Sequence, residues 1–242
     1  MSKSIVLQYP IRSYVRRSER ATKAQRHALQ TYWKDYGISV DNRLLDLEAI
    51  FKRKAPRVLE IGFGKGEVLV NLAETNPDID FIGIEVYLPG IGALLNKIKT
   101  RVLSNIKVIH ADAAVAMPQC FADHCLDKIL VLFPDPWPKK RHHKRRLIRT
   151  SFVDTLADKL CPSGILHLAT DWDDYAAEMR AAVVESNRYQ KMDTLLLRPM
   201  TGFERRGKAL NHHIHDMQYR VLVAEVEPPH ATTSLRGGTM FG

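Results

Sequence analysis

The sequence contains little cysteine, and its three cysteines follow no recognisable pattern. Cys120, Cys125 and Cys161 form neither a CxxC pair nor an even-numbered set, which argues against a cysteine metal centre and a disulfide scaffold. Long apolar runs are also absent, since no stretch approaches the ~18 residues needed to span a membrane. Residues 1–20 lack the apolar region and cleavage site of a secretory signal. These absences predict a cytoplasmic protein with reduced thiols and no membrane contact.

Basic residues clearly outnumber acidic ones. The chain has 36 lysines and arginines against 27 aspartates and glutamates, and its formal net charge is +9. Such an excess is typical of proteins that bind nucleic acids, although it also occurs in basic proteins whose charge only keeps them soluble. Clustering of the positive residues favours a polyanionic partner, because they concentrate at 12–27, 97–107, 139–149 and 205–208.

Strand and helix patterns alternate through most of the chain. Short apolar segments predict strands at Arg57–Ile61, Asp80–Ile84, Lys107–Ile109, Lys128–Phe133, Ile165–Ala169, Thr194–Arg198 and Tyr219–Val223. Helical spacing predicts helices at Glu67–Thr75, Ile91–Val102, Arg145–Leu160 and Trp172–Glu185. This order predicts an α/β fold with a doubly wound, mostly parallel, Rossmann-like sheet and helices on both faces. The last two strands have no helical pattern between them, which predicts a C-terminal antiparallel hairpin.

The flanking regions differ from this pattern. Residues 1–50 combine a basic arm with helical spacing over Thr22–Tyr36, which stops at Gly37. Residues 51–226 contain the strand and helix pattern and form the predicted main domain. Residues 227–242 contain Pro, Thr, Ser and Gly with little apolar character, so we expect a disordered tail there.

A glycine-rich loop follows the first predicted strand and opens a helix. It begins with Glu60 and contains Gly62, Gly64 and Gly66. Glycines permit a tight turn and a close approach of a ligand to the backbone. The GxGxG spacing differs from the GxGxxG of dinucleotide-binding enzymes, which disfavours a nicotinamide dehydrogenase.

Acids end the first three predicted strands of this region. Glu60 precedes the glycines, Glu85 lies 19 residues beyond Gly66 at a spacing suited to ribose hydroxyls, and Asp112 is placed to accept from an adenine amino group. Any one of them alone is equally compatible with a helix cap or a surface residue. Together they would repel a pyrophosphate but attract an adenosyl ligand that carries a sulfonium and an ammonium. The predicted cofactor is therefore S-adenosyl-L-methionine.

The segment Phe133–Pro138 is the most unusual in the chain. Its three prolines restrict the backbone, so we expect a rigid turn that presents Asp135 and Trp137 beside the basic run 139–146. Such a turn suits a nucleobase, and the cations suit its phosphates. Lys144–Arg146 are predicted to bind phosphate or, alternatively, to brace the turn. The competing interpretation is a surface turn beside a solvated basic helix.

Together these motifs make the sequence similar to the bacterial tRNA (guanine-N7-)-methyltransferase family. The resemblance covers about residues 9–224 and is carried by Leu59–Gly66, Gly83–Val86, Phe133–Trp137, Lys144–Arg146, Ala169–Trp172 and Thr201–Gly207. The glycine loop is generic, whereas the other motifs in combination are specific. The resemblance implies a class I S-adenosylmethionine-dependent methyltransferase fold with residues 51–226 as the catalytic domain. It also implies methyl transfer to guanine N7 in tRNA, at position 46 in the variable loop.

The same resemblance assigns individual roles. It places the cofactor at Glu60, Glu85, Asp112 and Asp135, and it makes Asp135 the catalytic residue. It assigns substrate binding to Lys139, Asp171, Thr201, Gly202, Phe203 and Glu204. Two positions depart from the family pattern, since Gly202 stands where lysine is usual and Pro138 where a polar residue is usual. The family allows a monomer or a homodimer and implies tRNA, but no protein, as partner.

Other interpretations remain open at this point. An acid-proline-aromatic turn also suits methylation of an exocyclic amine, and an RNA-binding module with an inactive cofactor fold is a second alternative. The intact acids argue against the latter. His212, His213 and His215 suggest a metal site, but no nearby cysteine or acid completes a ligand set. We therefore predict RNA-facing or solvated histidines and no metal.

Overall fold

The computed structural model describes residues 21–41 and 43–222. Within them, one sheet contains the strands β1 (Gly37–Ile38), β2 (Arg57–Ile61), β3 (Asp80–Glu85), β4 (Ile106–His110), β5 (Leu126–Leu132), β6 (Leu160–Thr170), β7 (Tyr189–Lys191) and β8 (His215–Val221). The α-helices are α1 (Lys23–Tyr36), α2 (Leu47–Phe51), α3 (Glu67–Thr75), α4 (Leu88–Thr100), α5 (Ala113–Cys120), α6 (Thr150–Lys159), α7 (Asp173–Ser186) and α8 (Gly202–Ala209). A 3-10 helix covers Lys140–Arg145. None of the described helices has the length and apolarity needed to cross a membrane.

The sheet order places a ligand crevice near its middle. The strands run β1-β4-β3-β2-β5-β6-β8-β7; the first six are parallel, and β8 is antiparallel to both of its neighbours. The chain winds from β2 outward to β4 and then returns to add β5 on the other side of β2. This reversal opens a crevice at the carboxyl ends of β2 and β5. The predicted doubly wound sheet with a terminal antiparallel hairpin is confirmed.

Apolar side chains of the strands alternate between two clusters, one on each face of the sheet. Leu59 and Ile82 pack with α2, α5, α6 and α7 on one face. Val58 and Phe81 pack with α1, α3 and α4 on the other. Because helices cover both faces, the central strands bury apolar residues in both directions. The ends of the strands are left as the place where polar groups can meet a ligand.

The predicted strand at Thr194–Arg198 is wrong. The hairpin partner of β8 is β7, and α8 lies between them, where the sequence showed no helical pattern. Leu195 and Leu197 suggested a strand, yet they are 44% and 96% exposed. The backbone of Leu196 is held by a side chain instead of a strand: its N–H donates to Gln218 Oε1 at 3.0 Å, and its carbonyl accepts from Gln218 Nε2 at 2.8 Å.

Several shorter elements also differ from the prediction. The helix expected over Arg145–Leu160 forms only over Thr150–Lys159, as α6, and Arg145 is the last residue of the 3-10 helix. The short elements β1, α2 and α5 were not predicted, because two to eight residues carry too little periodicity.

The N-terminal helix forms as predicted and packs on the main domain. A capping box starts it: Thr22 Oγ1 accepts from the N–H of Gln25 at 3.2 Å, and Gln25 Oε1 accepts from the N–H of Thr22 at 2.8 Å. Ala28 is fully buried in the cluster that contains α4. The arm predicted for residues 1–20 and the tail predicted after 226 lie outside the described residues, so the division into regions stays a prediction.

Candidate active site at the carboxyl ends of the strands

A cavity of about 490 Å³ occupies the crevice and has the size of a small-molecule site. The ends of β2, β3 and β5 form its floor, and the start of α8 forms part of its rim. Its lining includes Glu60, Gly62, Gly64, Glu85, Asp135, Thr201, Gly202 and Phe203, as predicted for the site. Residues separated by more than 100 positions in the chain therefore meet around one cavity.

The glycine loop forms one wall of the cavity. Gly62, Gly64 and Gly66 have φ values of 74°, 57° and 69°, in the left-handed region that side chains rarely adopt. A Cβ atom at Gly66 would also lie 2.6 Å from Leu94. The glycines are therefore required by the backbone itself. This conformation turns the chain from β2 into α3 within five residues, Gly62–Gly66, and leaves the loop open toward the cavity.

Glu85 organises the loop from the neighbouring strand. Its Oε2 accepts from the N–H of Gly64 at 2.8 Å, and its Oε1 accepts from the N–H groups of Val86 at 2.7 Å and Tyr87 at 3.0 Å. Burial raises the pKa of the carboxyl group, while these backbone donors partly oppose the rise. The side chain that was predicted to meet ribose also fixes the position of the glycine loop.

Glu60 is the most deeply buried acid of the cavity lining. It is 3% exposed, and its Oε2 has no hydrogen-bond partner among the described residues. Burial, together with the nearby charge of Glu85, raises its pKa to about 8. A buried carboxylate of this kind is stabilised by a cationic ligand group. The residues present therefore fit S-adenosylmethionine, whose ammonium would satisfy the buried oxygen.

Asp112 occupies a different position from the other predicted cofactor acids. It is fully buried and caps α5, where its Oδ1 accepts from the N–H of Ala114 at 3.0 Å. Its neighbours Ala111 and Ala113 line the cavity, whereas Asp112 is not part of the lining. The cofactor role of Asp112 stays a prediction, and its observed role is that of a helix cap.

The proline-rich turn carries Asp135 into the cavity with a strained backbone. Phe133 and Trp137 have φ values of 54° and 46°, and left-handed bulky residues cost about 1–3 kcal/mol each. Trp137 is 8% exposed, with the guanidinium of Arg145 lying 4.9 Å from its ring centroid. We predicted that this ring faces a ligand. That prediction is wrong, because Trp137 is buried and is not part of the cavity lining.

Arg146 holds the turn from the protein interior. Its side chain is 1% exposed, its Nη2 and Nη1 lie 2.8 Å from carboxylate oxygens of Asp174 and Glu178, and its Nε donates to the carbonyl of Pro136 at 2.8 Å. These contacts tie the turn to α7. They favour bracing over phosphate binding for Arg146. Lys144 and Arg145 are exposed, so a ligand's phosphates can reach them.

The segment before α8 brings the other predicted residues to the rim. Thr201 caps α8 by accepting from the N–H of Glu204 at 2.8 Å. Glu204 is buried and forms ion pairs with Arg198 at 2.6 Å and Lys208 at 3.0 Å. Gly202 and Phe203 face the cavity, and Phe203 is 59% exposed.

Comparisons with known proteins agree with this geometry. A family model described as "Putative methyltransferase" matches residues 54–217. The tRNA (guanine-N(7)-)-methyltransferase of Nitrosococcus oceani is 48% identical over 87% of this chain and 91% of its own length. That of Nitrosomonas europaea is 46% identical over 86% and 95%, and that of Pseudomonas aeruginosa is 43% identical over 86% and 88%. The chain belongs to the tRNA (guanine-N(7)-)-methyltransferase family.

Solved structures support the fold of this family member. The 16S rRNA methyltransferase KamB has a TM-score of 0.56 and 16% identity, and the match covers 78% of this chain and 98% of that one. A 30S ribosomal A1408 methyltransferase from an uncultured bacterium has a TM-score of 0.53 and 14% identity over 76% and 96%. At these identities the likeness concerns the fold alone, which is that of class I S-adenosylmethionine-dependent methyltransferases.

Three predicted substrate residues of this methyltransferase, Lys139, Asp171 and Glu204, lie outside the cavity lining. Lys139 is exposed and precedes the 3-10 helix. Asp171 directly follows β6, and its Oδ2 lies 3.1 Å from Nδ1 of His212. Glu204 is held in its ion pairs with Arg198 and Lys208. The substrate role of all three stays a prediction.

The sequence offered no means of finding Arg146 and Arg198 as interior residues of the site. Arg146 belongs to an unbroken basic run, and Arg198 was placed at the end of a predicted strand.

The histidines that suggested a metal site contact an acid and each other. His215 Nε2 lies 2.6 Å from Asp173 Oδ1, and the ring of His215 packs against that of His213. Within residues 21–41 and 43–222, no group of three or more acidic, histidine or cysteine side chains is arranged to hold a metal ion.

Proposed function

We propose that this methyltransferase transfers a methyl group from S-adenosylmethionine to N7 of guanine 46 in the variable loop of tRNA. The observation that carries the proposal is the cavity in which Glu60, Glu85 and Asp135 converge beside the glycine loop. Such a set of acids suits a cationic adenosyl cofactor and a purine that becomes positively charged. The family membership supports both the reaction and the tRNA substrate.

The cofactor, when bound, supplies an electrophilic methyl group on a sulfonium. Glu60 would take its ammonium, since one buried oxygen of this carboxylate lacks a partner among the described residues. The open backbone at Gly62 and Gly64 would accommodate the amino-acid part, and Glu85 would accept from the ribose hydroxyls. Apolar side chains of the lining, such as Phe63 and Leu132, exclude water from the reacting groups.

Asp135 has a task that follows from the chemistry of the base. Guanine N7 carries an in-plane lone pair and no proton, so attack requires no general base. It requires alignment with the methyl group and stabilisation of the charge that develops on the ring. A carboxylate at Asp135 stabilises that charge, and it can accept from the guanine N1–H and 2-amino groups, which adenine does not offer in that pattern.

Exposed cations flank the cavity on two sides and suit the tRNA backbone. On one side lie Lys139 and the exposed members of the 3-10 helix. On the other side, Arg205, Arg206 and Lys208 of α8 are exposed, and Arg206 also lines the cavity. Phosphate contacts of this kind position a nucleic acid, while the cavity selects the base. A tRNA substrate also implies the cytoplasm as the working compartment.

The decisive experiment uses bulk tRNA that lacks the modification, together with cofactor labelled in its methyl group. After borohydride reduction, aniline cleaves RNA at N7-methylguanosine, so strand cleavage maps the methylated nucleotide directly. We expect one labelled position, in the variable loop. Label recovered as an amino-methylated nucleoside would favour the exocyclic-amine alternative. Binding of tRNA without any binding of S-adenosylmethionine in calorimetry would favour the RNA-binding module.

A further inference from the structure

Arg198 lies between α8 and the end of β5, beside the candidate active site. Its side chain is 5% exposed, its Nη1 lies 2.6 Å from Glu204 Oε2, and its Nη2 lies 2.6 Å from Asp216 Oδ2. The guanidinium also lies 5.9 Å from the ring centroid of Phe133, which lines the cavity and leads into the turn of Asp135. One side chain therefore contacts α8, β8 and the end of β5.

We propose that Arg198 is a positioning residue that fixes the substrate-binding start of α8 against the catalytic turn and stabilises the ionised Glu60 when the cofactor binds. This inference rests on the proposed function. It assigns to Arg198 a geometric role, through the two-armed fork of the guanidinium, and an electrostatic role, through its positive charge.

The geometric role follows from how the segment before α8 is attached. Residues 192–201 contain no strand or helix, and Leu195 and Leu197 are exposed. The N–H of Met192 donates to the backbone carbonyl of Gln218 at 2.9 Å, and beyond this residue side chains hold the segment to β8. Gln218 holds the backbone of Leu196, and Arg198 pairs with Asp216. A planar fork that binds two carboxylates fixes direction as well as distance. Loss of the fork would release Glu204 and the cap of α8 that it shares with Thr201.

The anchor on β8 is itself fixed. Asp216 accepts from His167 on β6 as well as from Arg198. Burial alone would raise the pKa of Asp216, but the hydrogen bond from His167 and the charge of Arg198 outweigh it, and the pKa is lowered. For Glu204 the same balance, set by Arg198 and Lys208, also lowers the pKa. Both carboxylates are thus charged partners of Arg198 at neutral pH.

The electrostatic role concerns Glu60, which lies on β2 beside Leu130 of β5, the strand that leads to Phe133 under the guanidinium of Arg198. Burial and the charge of Glu85 raise the pKa of Glu60 to about 8, and the charge of Arg198 opposes that rise. Glu85 in turn faces Asp135. Near pH 7 the buried Glu60 is mainly protonated, so binding of an ammonium expels a proton. Without Arg198, the proton would be held more firmly and binding of the cofactor would weaken.

Two variants separate the roles, and a third serves as control. Arg198→Lys keeps the charge and removes the fork, whereas Arg198→Met removes both. Arg188→Met is the control, because Arg188 also pairs with a carboxylate at 2.6 Å, Asp158, but lies away from the cavity. Melting temperatures of all variants identify losses that are merely structural, and Arg198→Lys keeps the test valid if Arg198→Met folds poorly.

Calorimetry without tRNA tests the charge. Proton release on cofactor binding is measured in two buffers of different ionisation enthalpy, and affinity is measured between pH 5.5 and 7.5. The wild type should release nearly one proton at pH 7 and bind about tenfold more tightly for each unit of rising pH below the pKa of Glu60. 5′-Methylthioadenosine, which lacks the ammonium, should show neither effect. Arg198→Met should bind S-adenosylmethionine about tenfold more weakly at pH 7 for each unit by which that pKa rises. Arg198→Lys and Arg188→Met should bind like the wild type.

Single-turnover methylation of tRNA tests the fork. Arg198→Lys should lose about 100-fold in kcat/KM for tRNA, a typical cost of misplacing groups by about 1 Å, while Arg188→Met should stay near the wild type. Wild-type kinetics in Arg198→Lys would overturn the geometric role. An unchanged affinity for S-adenosylmethionine at pH 7 in folded Arg198→Met would overturn the electrostatic role. Failure of the wild type itself to methylate tRNA would instead refute the proposed function, and the calorimetric result would still stand.

Discussion

The two halves of the candidate active site are built in different ways. In the cofactor half, Glu60, the glycine loop and Glu85 are held by backbone groups at adjacent strand ends. In the substrate half, the Asp135 turn and the start of α8 are held by Arg146 and Arg198, each paired with two carboxylates. Backbone donors are present whatever the side chain, so these contacts survive most substitutions. The ion pairs depend on every partner, because loss of one side chain leaves the polar groups of the others without a hydrogen bond.

This difference predicts where the protein is vulnerable. The cofactor half should fail through loss of a single ligand contact and leave the fold intact. The substrate half should fail through loss of a support that touches no ligand. Four substitutions, ordered by the expected size of their effect, examine the contrast.

Arg146→Met should have the largest effect. It leaves Asp174, Glu178 and the carbonyl of Pro136 without their partner. The hydrogen bond from the charged guanidinium to Pro136 is worth about 1.5–3 kcal/mol, and each ion pair adds about 0–1 kcal/mol because both carboxylates are half-exposed. Urea denaturation measures this loss. Arg145→Met is the matched control, because Arg145 is exposed and its contact with Trp137 is worth about 0.5–1 kcal/mol. Equal losses in the two variants would show that the turn is not braced from the interior.

Asp135→Asn should follow, with an effect on rate rather than on stability. Asn keeps the size and one acceptor but removes the negative charge that faces the forming methylguanine cation. Loss of one preorganised electrostatic partner typically lowers kcat by ~10²–10³, while binding of tRNA should change little. Single-turnover rates and filter binding measure the two quantities separately.

The pH profile of the same enzymes distinguishes the two methylation chemistries. Because guanine N7 has no proton to lose, the wild-type single-turnover rate at saturating cofactor should show no dependence on a base that titrates near neutrality. A bell centred near pH 7 that vanishes in Asp135→Asn would point to proton transfer from an exocyclic amine.

The same contrast explains how much of each half could be predicted from the sequence. The glycine loop, Glu60 and Glu85 could be located because left-handed glycines and strand ends leave local signatures. The supports of the substrate half could not, because the pairing of Arg146 with Asp174 and of Arg198 with Asp216 depends on side-chain direction, which leaves no periodic signature. A sequence does not show which arginine of a basic run turns inward.

The misplaced strand has a related cause. Leu195 and Leu197 have the composition of a strand, but the sheet edge beside β8 is already occupied by β7. Tertiary context therefore decided against local propensity. Asp112 shows the reverse case: its position at a strand end was predicted correctly, and its side chain caps a helix instead of lining the cavity.

Glu85→Ala should have a moderate effect that stays within the cofactor half. Loss of hydrogen bonds to a charged group costs roughly 1.5–3 kcal/mol, which is about one to two decades of affinity for S-adenosylmethionine. Affinity for tRNA should not change. Glu85→Gln keeps an acceptor for the N–H groups of Val86 and Tyr87, so calorimetry should place it between Ala and the wild type. An unchanged cofactor affinity in Glu85→Ala would remove Glu85 from the site.

Gly202→Lys should have the smallest effect, and it would strengthen the substrate half instead of weakening it. The resemblance drawn from the sequence implies lysine as the usual residue at this position. A Cβ atom added to Gly202 meets only Arg205 Nη2 and Glu67 Oε2, both at 3.7 Å, which is ordinary contact. Surface substitutions without a clash usually change stability by no more than about 0.5 kcal/mol, so the melting temperature should stay nearly constant.

The added lysine would stand on the rim of the cavity, where its ammonium can reach a tRNA phosphate. We expect tighter tRNA binding and a log–log salt slope steeper by up to ~0.9, the value for one additional duplex phosphate contact. Gly202→Gln is the control for side-chain size, and it should leave the slope unchanged. If lysine instead takes Glu67 from Arg205, with which Glu67 is ion-paired, Arg205 becomes the free cation and the slope should steepen equally. An unchanged slope would mean that neither cation reaches a tRNA phosphate, and that glycine at position 202 costs the substrate half no contact with the tRNA backbone.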